Sequence, residues 1–175
     1  MKTVIILIML SAFSSETIFD KENTNENNWF ILDDVVMGGR SQGQMKINDE
    51  GICEFYGLVS TANNGGFSSV RYRLESTSTS PSSVVKIKLK GDGKRYQFRV
   101  KSNSNDYYSY ITYFKTSGKW EEIEIPMNEM YPSFRGRKLD FPNFDKDQIQ
   151  ELSFLIANKK NEEFKLLISN IEILN

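Results

Sequence analysis

The segment Trp29–Ser41 reads Trp-Phe-Ile-Leu-Asp-Asp-Val-Val-Met-Gly-Gly-Arg-Ser and carries the most informative pattern of the chain. An apolar, strand-like segment is followed by the adjacent carboxylates Asp33 and Asp34, then by the glycine pair Gly38-Gly39 and the hydroxyl of Ser41. Glycine pairs occur where the backbone takes a positive φ or approaches another group closely. Apolar packing does not require this arrangement, so the stretch predicts the functional end of the molecule.

A second glycine pair lies in the segment Asn64–Arg71, one strand further along the chain. Gly65, Gly66 and Ser68 could form a nest of amide groups that receives an anion or a carbohydrate hydroxyl. The same residues could instead form a tight corner where the chain enters the next strand. The guanidinium of Arg71 could bind a polar ligand, but we favour an ion pair with one of the two aspartates, which would be structural if buried.

The adjacent aspartates allow several roles. On a strand, the side chains of Asp33 and Asp34 would point to opposite faces and would not work as one acid–base pair. In a loop they could hold a cation, but Ca²⁺ needs more oxygen ligands, and no spacing supports Asp92 or Asn63 as ligands. We therefore expect no metal and no cofactor, and we expect one aspartate to fix the turn before Gly38 by hydrogen bonds to backbone amides.

Composition restricts the function classes. The chain has 175 residues, 39% of them hydrophobic and 13% aromatic, which is enough for one domain with its own core. A net charge of −1 gives no general attraction to nucleic acid. The sequence holds no histidine, which removes Ser-His-Asp and Cys-His catalysis. The single cysteine, Cys53, lies in a strand-like stretch and is expected to be a buried, inert thiol.

The N-terminus has the pattern of a signal peptide. Lys2 precedes the apolar run Val4–Leu10, and small residues such as Ala12 and Ser14 follow it. The run is too short for a transmembrane helix. We expect a signal peptide over residues 1–15, one domain over residues 16–175, and an exported protein of the periplasm or cell envelope.

Apolar and polar residues alternate with period two over most of the remaining chain, which predicts many short strands and an all-β antiparallel sandwich or jelly roll. Val85, Ile87 and Leu89 alternate with lysines, and Tyr96, Phe98 and Val100 return with the same period after the turn 91–94. We expect these two strands to form a hairpin with most of its basic residues on one face. That face is either a solvated sheet surface or a site for an anionic partner.

Two further groups could contact a ligand. The tyrosines of segment 107–113 and Trp120 form an aromatic group, in which Tyr108 and Trp120 are the candidates for stacking on a sugar. Packing in the core is the alternative for about half of these rings. Arg135 and Arg137 flank a glycine in an irregular segment and could clamp a carboxylate or phosphate. Otherwise they are surface arginines held by nearby acids.

These motifs together resemble the complex I intermediate-associated protein 30 family. The matching pieces extend from about Ile18 to Leu174 and include Trp29, Asp33–Ser41, Phe55–Gly57, Asn64–Arg71, Gly91–Gly93, Tyr96, Trp120, Ile125-Pro126 and Phe134–Arg137. The resemblance implies a galactose-binding-like β-sandwich and a non-enzymatic role, since the mitochondrial relatives are assembly factors for respiratory complex I. The signal-peptide pattern indicates a bacterial, exported member.

Three functions are therefore compared. The first is a non-catalytic, assembly-factor-like module with a protein partner, such as a membrane subunit of the respiratory chain. The second is an exported carbohydrate-binding module that uses the glycine loops and the aromatic residues. The third is a hydrolase that uses Asp33, Asp34 or Asp92, and it has the least support.

Overall fold

The computed structural model describes residues 14–175, and strands account for most of this range. The strands are β1 Ser15–Phe19, β2 Trp29–Asp33, β3 Gln42–Ile47, β4 Cys53–Val59, β5 Ser68–Ser78, β6 Val84–Lys90, β7 Arg95–Lys101, β8 Ser109–Lys115, β9 Trp120–Pro126, β10 Tyr131–Phe134, β11 Arg137–Lys138, β12 Gln148–Ile156 and β13 Glu162–Leu174. Short 3-10 turns lie at Glu26–Asn28, Asp34–Met37, Ala62–Asn64 and Met127–Glu129.

The strands form two antiparallel sheets. The first sheet has the order β3-β4-β13-β6-β9, with β1 also paired to β13. The second sheet has the order β11-β10-β8-β7-β12-β5-β2. The inner faces of both sheets supply one hydrophobic core that includes Phe55, Ile87, Phe98, Phe154 and Ile171. The predicted all-β antiparallel sandwich is confirmed.

The predicted hairpin between β6 and β7 is wrong. β6 pairs with β9 and β13 in the first sheet, whereas β7 pairs with β8 and β12 in the second sheet. The segment 91–94 therefore crosses from one sheet to the other. Ile87 and Phe98 are both buried, but period-two alternation does not tell a hairpin partner from a strand of the facing sheet. The basic residues of β6 and β7 consequently lie on different sheets.

Two other predictions concern single segments. Cys53 is buried as expected, and burial raises the pKa of its thiol. The signal peptide predicted over residues 1–15 lies outside the described residues, except for Ser14 and Ser15.

Candidate binding surfaces

Asp34 joins the two glycine loops. Its side chain is buried, and its carboxylate accepts hydrogen bonds from Ser41 N (2.9 Å), Ser41 Oγ (2.6 Å), Phe67 N (3.1 Å) and Gly66 N. Burial works to raise the pKa of this carboxyl, but the hydrogen bonds from Ser41, Gly66 and Phe67 outweigh it and hold the pKa below its ordinary value. We call Asp34 with Ser41, Gly66 and Phe67 the Asp34 hub.

The glycines allow the loops to reach this hub. A Cβ on Gly39 or Gly65 would collide with the carboxylate of Asp34, so these positions require glycine for close approach. Gly38 ends the turn Asp34–Met37 with a φ of 88°, and its amide donates to Val35 O at 2.9 Å. The glycine pairs therefore serve the folding of the loops around Asp34.

The Asp34 hub presents three apolar side chains to solvent. Val35, Val36 and Met37 are 59%, 69% and 56% exposed, although they are consecutive residues of one short turn. We call these three residues the apolar tip. A rigid loop that holds apolar groups in water is typical of an interaction surface.

Asp33 belongs to a different environment from its neighbour. It ends β2 opposite Ser68, and its carboxylate accepts a 2.7 Å hydrogen bond from Gly43 N. Asp33 Oδ1 and Ser68 Oγ are buried without a hydrogen-bond partner among residues 14–175. The two aspartates thus connect to separate segments and do not face one another as an acid–base pair.

The predicted ion pair of Arg71 with Asp33 or Asp34 is wrong. Its Nη1 donates to Glu151 Oε1 at 3.0 Å. The register of β5 explains the difference: Ser68 lies opposite Asp33, and Arg71, three residues later, points to the other side of the sheet. The ion pair therefore lies on the outward face of the second sheet, away from the core.

That outward face is strongly basic, and we call it the arginine face. Register places Arg71, Ser153 and Arg99 side by side across β5, β12 and β7. Alternation puts further basic residues of the same strands and their neighbours on this side, namely Arg73, Arg95, Lys101, Lys115 and Lys138. Glu151 neutralises Arg71 within this group.

Several polar atoms of the arginine face lack partners. Ser69 Oγ, Arg71 Nε and Arg99 Nε are buried, and none has a hydrogen-bond partner in the described part of the chain. Burial, together with the nearby charge of Arg71, lowers the pKa of Arg99 to about 10. Glu151 was missed as a site residue in the sequence, since its proximity to Arg71 depends on the pairing of strands that are distant in sequence.

The remaining candidates lie apart from these surfaces. Asp92, in the crossing 91–94, accepts from Lys94 Nζ (2.7 Å), Tyr96 OH (3.0 Å) and Lys165 N (3.0 Å). Tyr108 packs against Tyr110 and Phe141, whereas Trp120 lies on β9 of the first sheet. Arg135 and Arg137 lie in the exposed β10–β11 hairpin, where Arg135 stacks on Phe134. Trp120 therefore does not belong to one aromatic group with the tyrosines of segment 107–113.

No cluster of three or more acidic or cysteine residues suited to a metal ion occurs within residues 14–175. In the same range, no helix has both the length and the apolar character needed to cross a membrane.

Solved structures share this fold. The family 11 carbohydrate-binding module from Clostridium thermocellum, in complex with a β-1,3-1,4-mixed-linked tetrasaccharide, superposes with a TM-score of 0.69 at 19% identity, covering 94% of this chain and 98% of that chain. The corresponding module of the cellulosomal cellulase Lic26A-Cel5E gives the same TM-score and identity, covering 94% and 96%. An agarase, AgWH50C, gives 0.60 at 12% identity, covering 92% of this chain and 24% of that chain.

At these identities the likeness shows a common β-sandwich, which agrees with the galactose-binding-like fold that the sequence implied. The sequence model of one family matches residues 17–168, which is most of the chain. That match also spans the Asp34 hub, the apolar tip and the strands of the arginine face. The chain therefore belongs to the complex I intermediate-associated protein 30 family.

Proposed function

We propose that this chain is a non-catalytic, assembly-factor-like module that binds a partner protein through the apolar tip. The observation that supports this function is the exposure of Val35, Val36 and Met37 on a turn fixed from beneath by Asp34. Three adjacent apolar side chains in water lose contact with solvent favourably when a partner covers them. Because the turn is held in place before binding, little further ordering is needed.

The hydrogen bonds of the acidic residues support the non-catalytic part of the proposal. The carboxylate of Asp34 is buried and accepts four hydrogen bonds, which keeps it ionised and away from solvent. Asp92 is held by Lys94, Tyr96 and the amide of Lys165. A general acid or base needs a proton that it can exchange with a substrate, and these carboxylates serve loop structure instead.

Co-purification from native membranes tests the assembly-factor-like function. We expect the tagged full chain to retain membrane subunits of the respiratory chain, and we expect the double variant Val36→Ser, Met37→Ser to lose them. Leu58→Ser is the matched control, because Leu58 is also exposed, at 43%, but lies on β4. Equal recovery of these subunits by wild type and tip variant would reject the proposal, as would their absence from both.

The second candidate function is glycan binding by an exported module, with the arginine face as the binding surface. Two observations favour it: carbohydrate-binding modules share the fold, and the face presents buried hydrogen-bonding atoms that have no partner among residues 14–175. Affinity electrophoresis in gels that contain single polysaccharides would test it. Unchanged mobility of the full chain in every gel would rule out this candidate while leaving the assembly-factor-like function open.

Export is proposed on the sequence pattern of residues 1–15 alone. We expect the protein purified from the producing cell to lack this segment, and its N-terminus, read by mass spectrometry, to lie near Glu16. A full-length chain that begins at Met1 in the cytoplasmic fraction would reject export.

A further inference from the structure

We propose that the arginine face binds a polysaccharide whose sugar units carry carboxylate groups. The inference rests on the glycan candidate of the proposed function and names its ligand class. Charge is the first argument. Basic side chains from β5, β7, β8 and β11 share this face, and within residues 14–175 Glu151 forms an ion pair with one of them, Arg71.

Arg99 is the centre of this excess charge. No carboxylate forms an ion pair with it among residues 14–175. Arg71 lies two strands away, about 10 Å by strand spacing. Glu151 compensates the charge of Arg71 but forms no ion pair with Arg99 in the described residues, so an anion beside Arg99 would compensate its charge. Arg–carboxylate contacts are the geometry that guanidinium favours.

The unpartnered atoms indicate where such a group would bind. Arg71 Nε and Arg99 Nε are buried donors without partners in the described chain, and Ser153 lies between the two arginines on β12. Ser69 Oγ, also without a partner in that range, lies on β5 two residues from Arg71. A ligand with both carboxylates and hydroxyls can form hydrogen bonds with the two guanidinium groups and with the Ser69 hydroxyl at the same time.

The aromatic rings of the face distinguish an acidic glycan from a neutral one. Arg73 lies 4.5 Å from the ring centre of Phe30, Arg95 lies 4.6 Å from that of Tyr113, and Lys138 Nζ lies 5.2 Å from that of Tyr131. Each ring is therefore covered by a cation. Instead of offering bare platforms for stacking on sugar rings, the aromatic residues hold positive charges over the sheet.

The same rings argue against a protein ligand on this face. Protein interfaces depend on aromatic or aliphatic anchors that enter pockets at the centre of the contact. Here the apolar side chains near the centre, Ile111 and Leu155, are already buried, and the outer rings lie under cations. The face spans seven strands, about 29 Å by strand spacing, which suits an extended chain with repeated charges.

The test is calorimetric titration of the full chain with polygalacturonate, with neutral mixed-linked β-glucan and with poly-glutamate. We expect binding of polygalacturonate that weakens as salt rises from about 0.05 M to about 0.5 M. We expect Arg99→Gln to weaken it by about tenfold or more. Arg95→Gln and Lys138→Gln are the other two variants of the arginine face. Because both side chains are exposed, these substitutions are expected to leave the fold intact. Lys86→Gln, on β6 of the first sheet, is the matched control and is expected to bind as wild type does.

Each other outcome overturns the inference in a different way. Salt-independent binding of the β-glucan in preference to polygalacturonate would reject the inference of an acidic ligand. The candidate function of glycan binding would still stand. Binding of poly-glutamate without polygalacturonate would identify a protein-type ligand. If the affinity for polygalacturonate is unchanged in all three face variants, the polysaccharide binds outside the arginine face. Binding of none of the probes would reject the inference outright.

Discussion

Ser41 Oγ donates a 2.6 Å hydrogen bond to Asp34 Oδ2 and accepts a 3.0 Å hydrogen bond from Ser60 N. One hydroxyl thereby connects the carboxylate of the first glycine loop to the end of β4. Asp34 in turn holds the amides of Gly66 and Phe67 in the second glycine loop. The two glycine-pair motifs are thus joined into one structure through Asp34. The apolar tip is the exposed part of this structure.

Removal of the central carboxylate should unfold this corner. We expect Asp34→Ala to lower the free energy of unfolding by about 3 kcal/mol or more, because it leaves several buried donors without an acceptor. Chemical denaturation followed by tryptophan fluorescence measures the change. Asp33→Ala is the comparison, with an expected loss of about 1 kcal/mol, since Asp33 accepts one backbone hydrogen bond. Equal losses in both variants would contradict the central role of Asp34.

The same carboxylate should make stability sensitive to acid. The pKa of Asp34 is lowered in the folded protein, so its contribution is present above the unfolded-state pKa of about 4 and is lost as pH falls through the folded-state value. We expect the stability difference between wild type and Asp34→Asn to shrink when denaturation is repeated at pH values below about 4. A difference that stays constant over this range would show that Asp34 does not titrate in this way.

Close approach, more than backbone conformation, should determine the effect of glycine substitution in the first loop. Gly39→Ala places a Cβ against the carboxylate of Asp34, whereas Gly93→Ala meets open space and is strained only by its φ of 82°. We expect Gly93→Ala to cost about 1 kcal/mol and Gly39→Ala to cost clearly more. Thermal unfolding measures both, and a milder effect at Gly39 would argue against the tight packing of this loop.

The Arg71–Glu151 ion pair should behave as a coupled unit. Removing one partner leaves the other partly buried and unpaired, so Arg71→Gln and Glu151→Gln should each destabilise the protein. The double variant should lose less than the sum, with a coupling energy of about 1–3 kcal/mol in a double-mutant cycle. Additive losses would mean that the ion pair makes no cooperative contribution.

The sequence predicts the class of fold because alternation along single strands is a local property. Val85, Ile87 and Leu89 and their counterparts on β7 alternate with polar residues in the sequence, and they are buried in the structure. Which strands pair is a global property, and β6 and β7 illustrate it: a short turn with an Asp-Gly pair favours a hairpin, yet the chain crosses between sheets there. The 3-10 turn at Asp34–Met37 was not predicted either. The carboxylate at its start is held by hydrogen bonds from Ser41, Gly66 and Phe67, which lie in other loops.

The site was only partly predictable for the same reason. The glycine pairs pointed to close backbone approach, but the group that they approach, Asp34, became known only from the structure. Arg71 was identified as important, but its partner Glu151 is 80 residues away and joins it through the β5–β12 pairing. The arginine face as a whole depends on strand order, which no local pattern encodes.

A photo-crosslinking amino acid placed at Val36 of the full chain in native membranes measures whether the apolar tip contacts a partner protein. We expect crosslinks from this position to membrane subunits of the respiratory chain, and none to those subunits from the same amino acid at Leu58 on β4. Mass spectrometry of the crosslinked products identifies the partners. Crosslinks from Leu58 but not from Val36 would contradict binding through the apolar tip. So would the absence of respiratory-chain subunits among the products crosslinked from Val36.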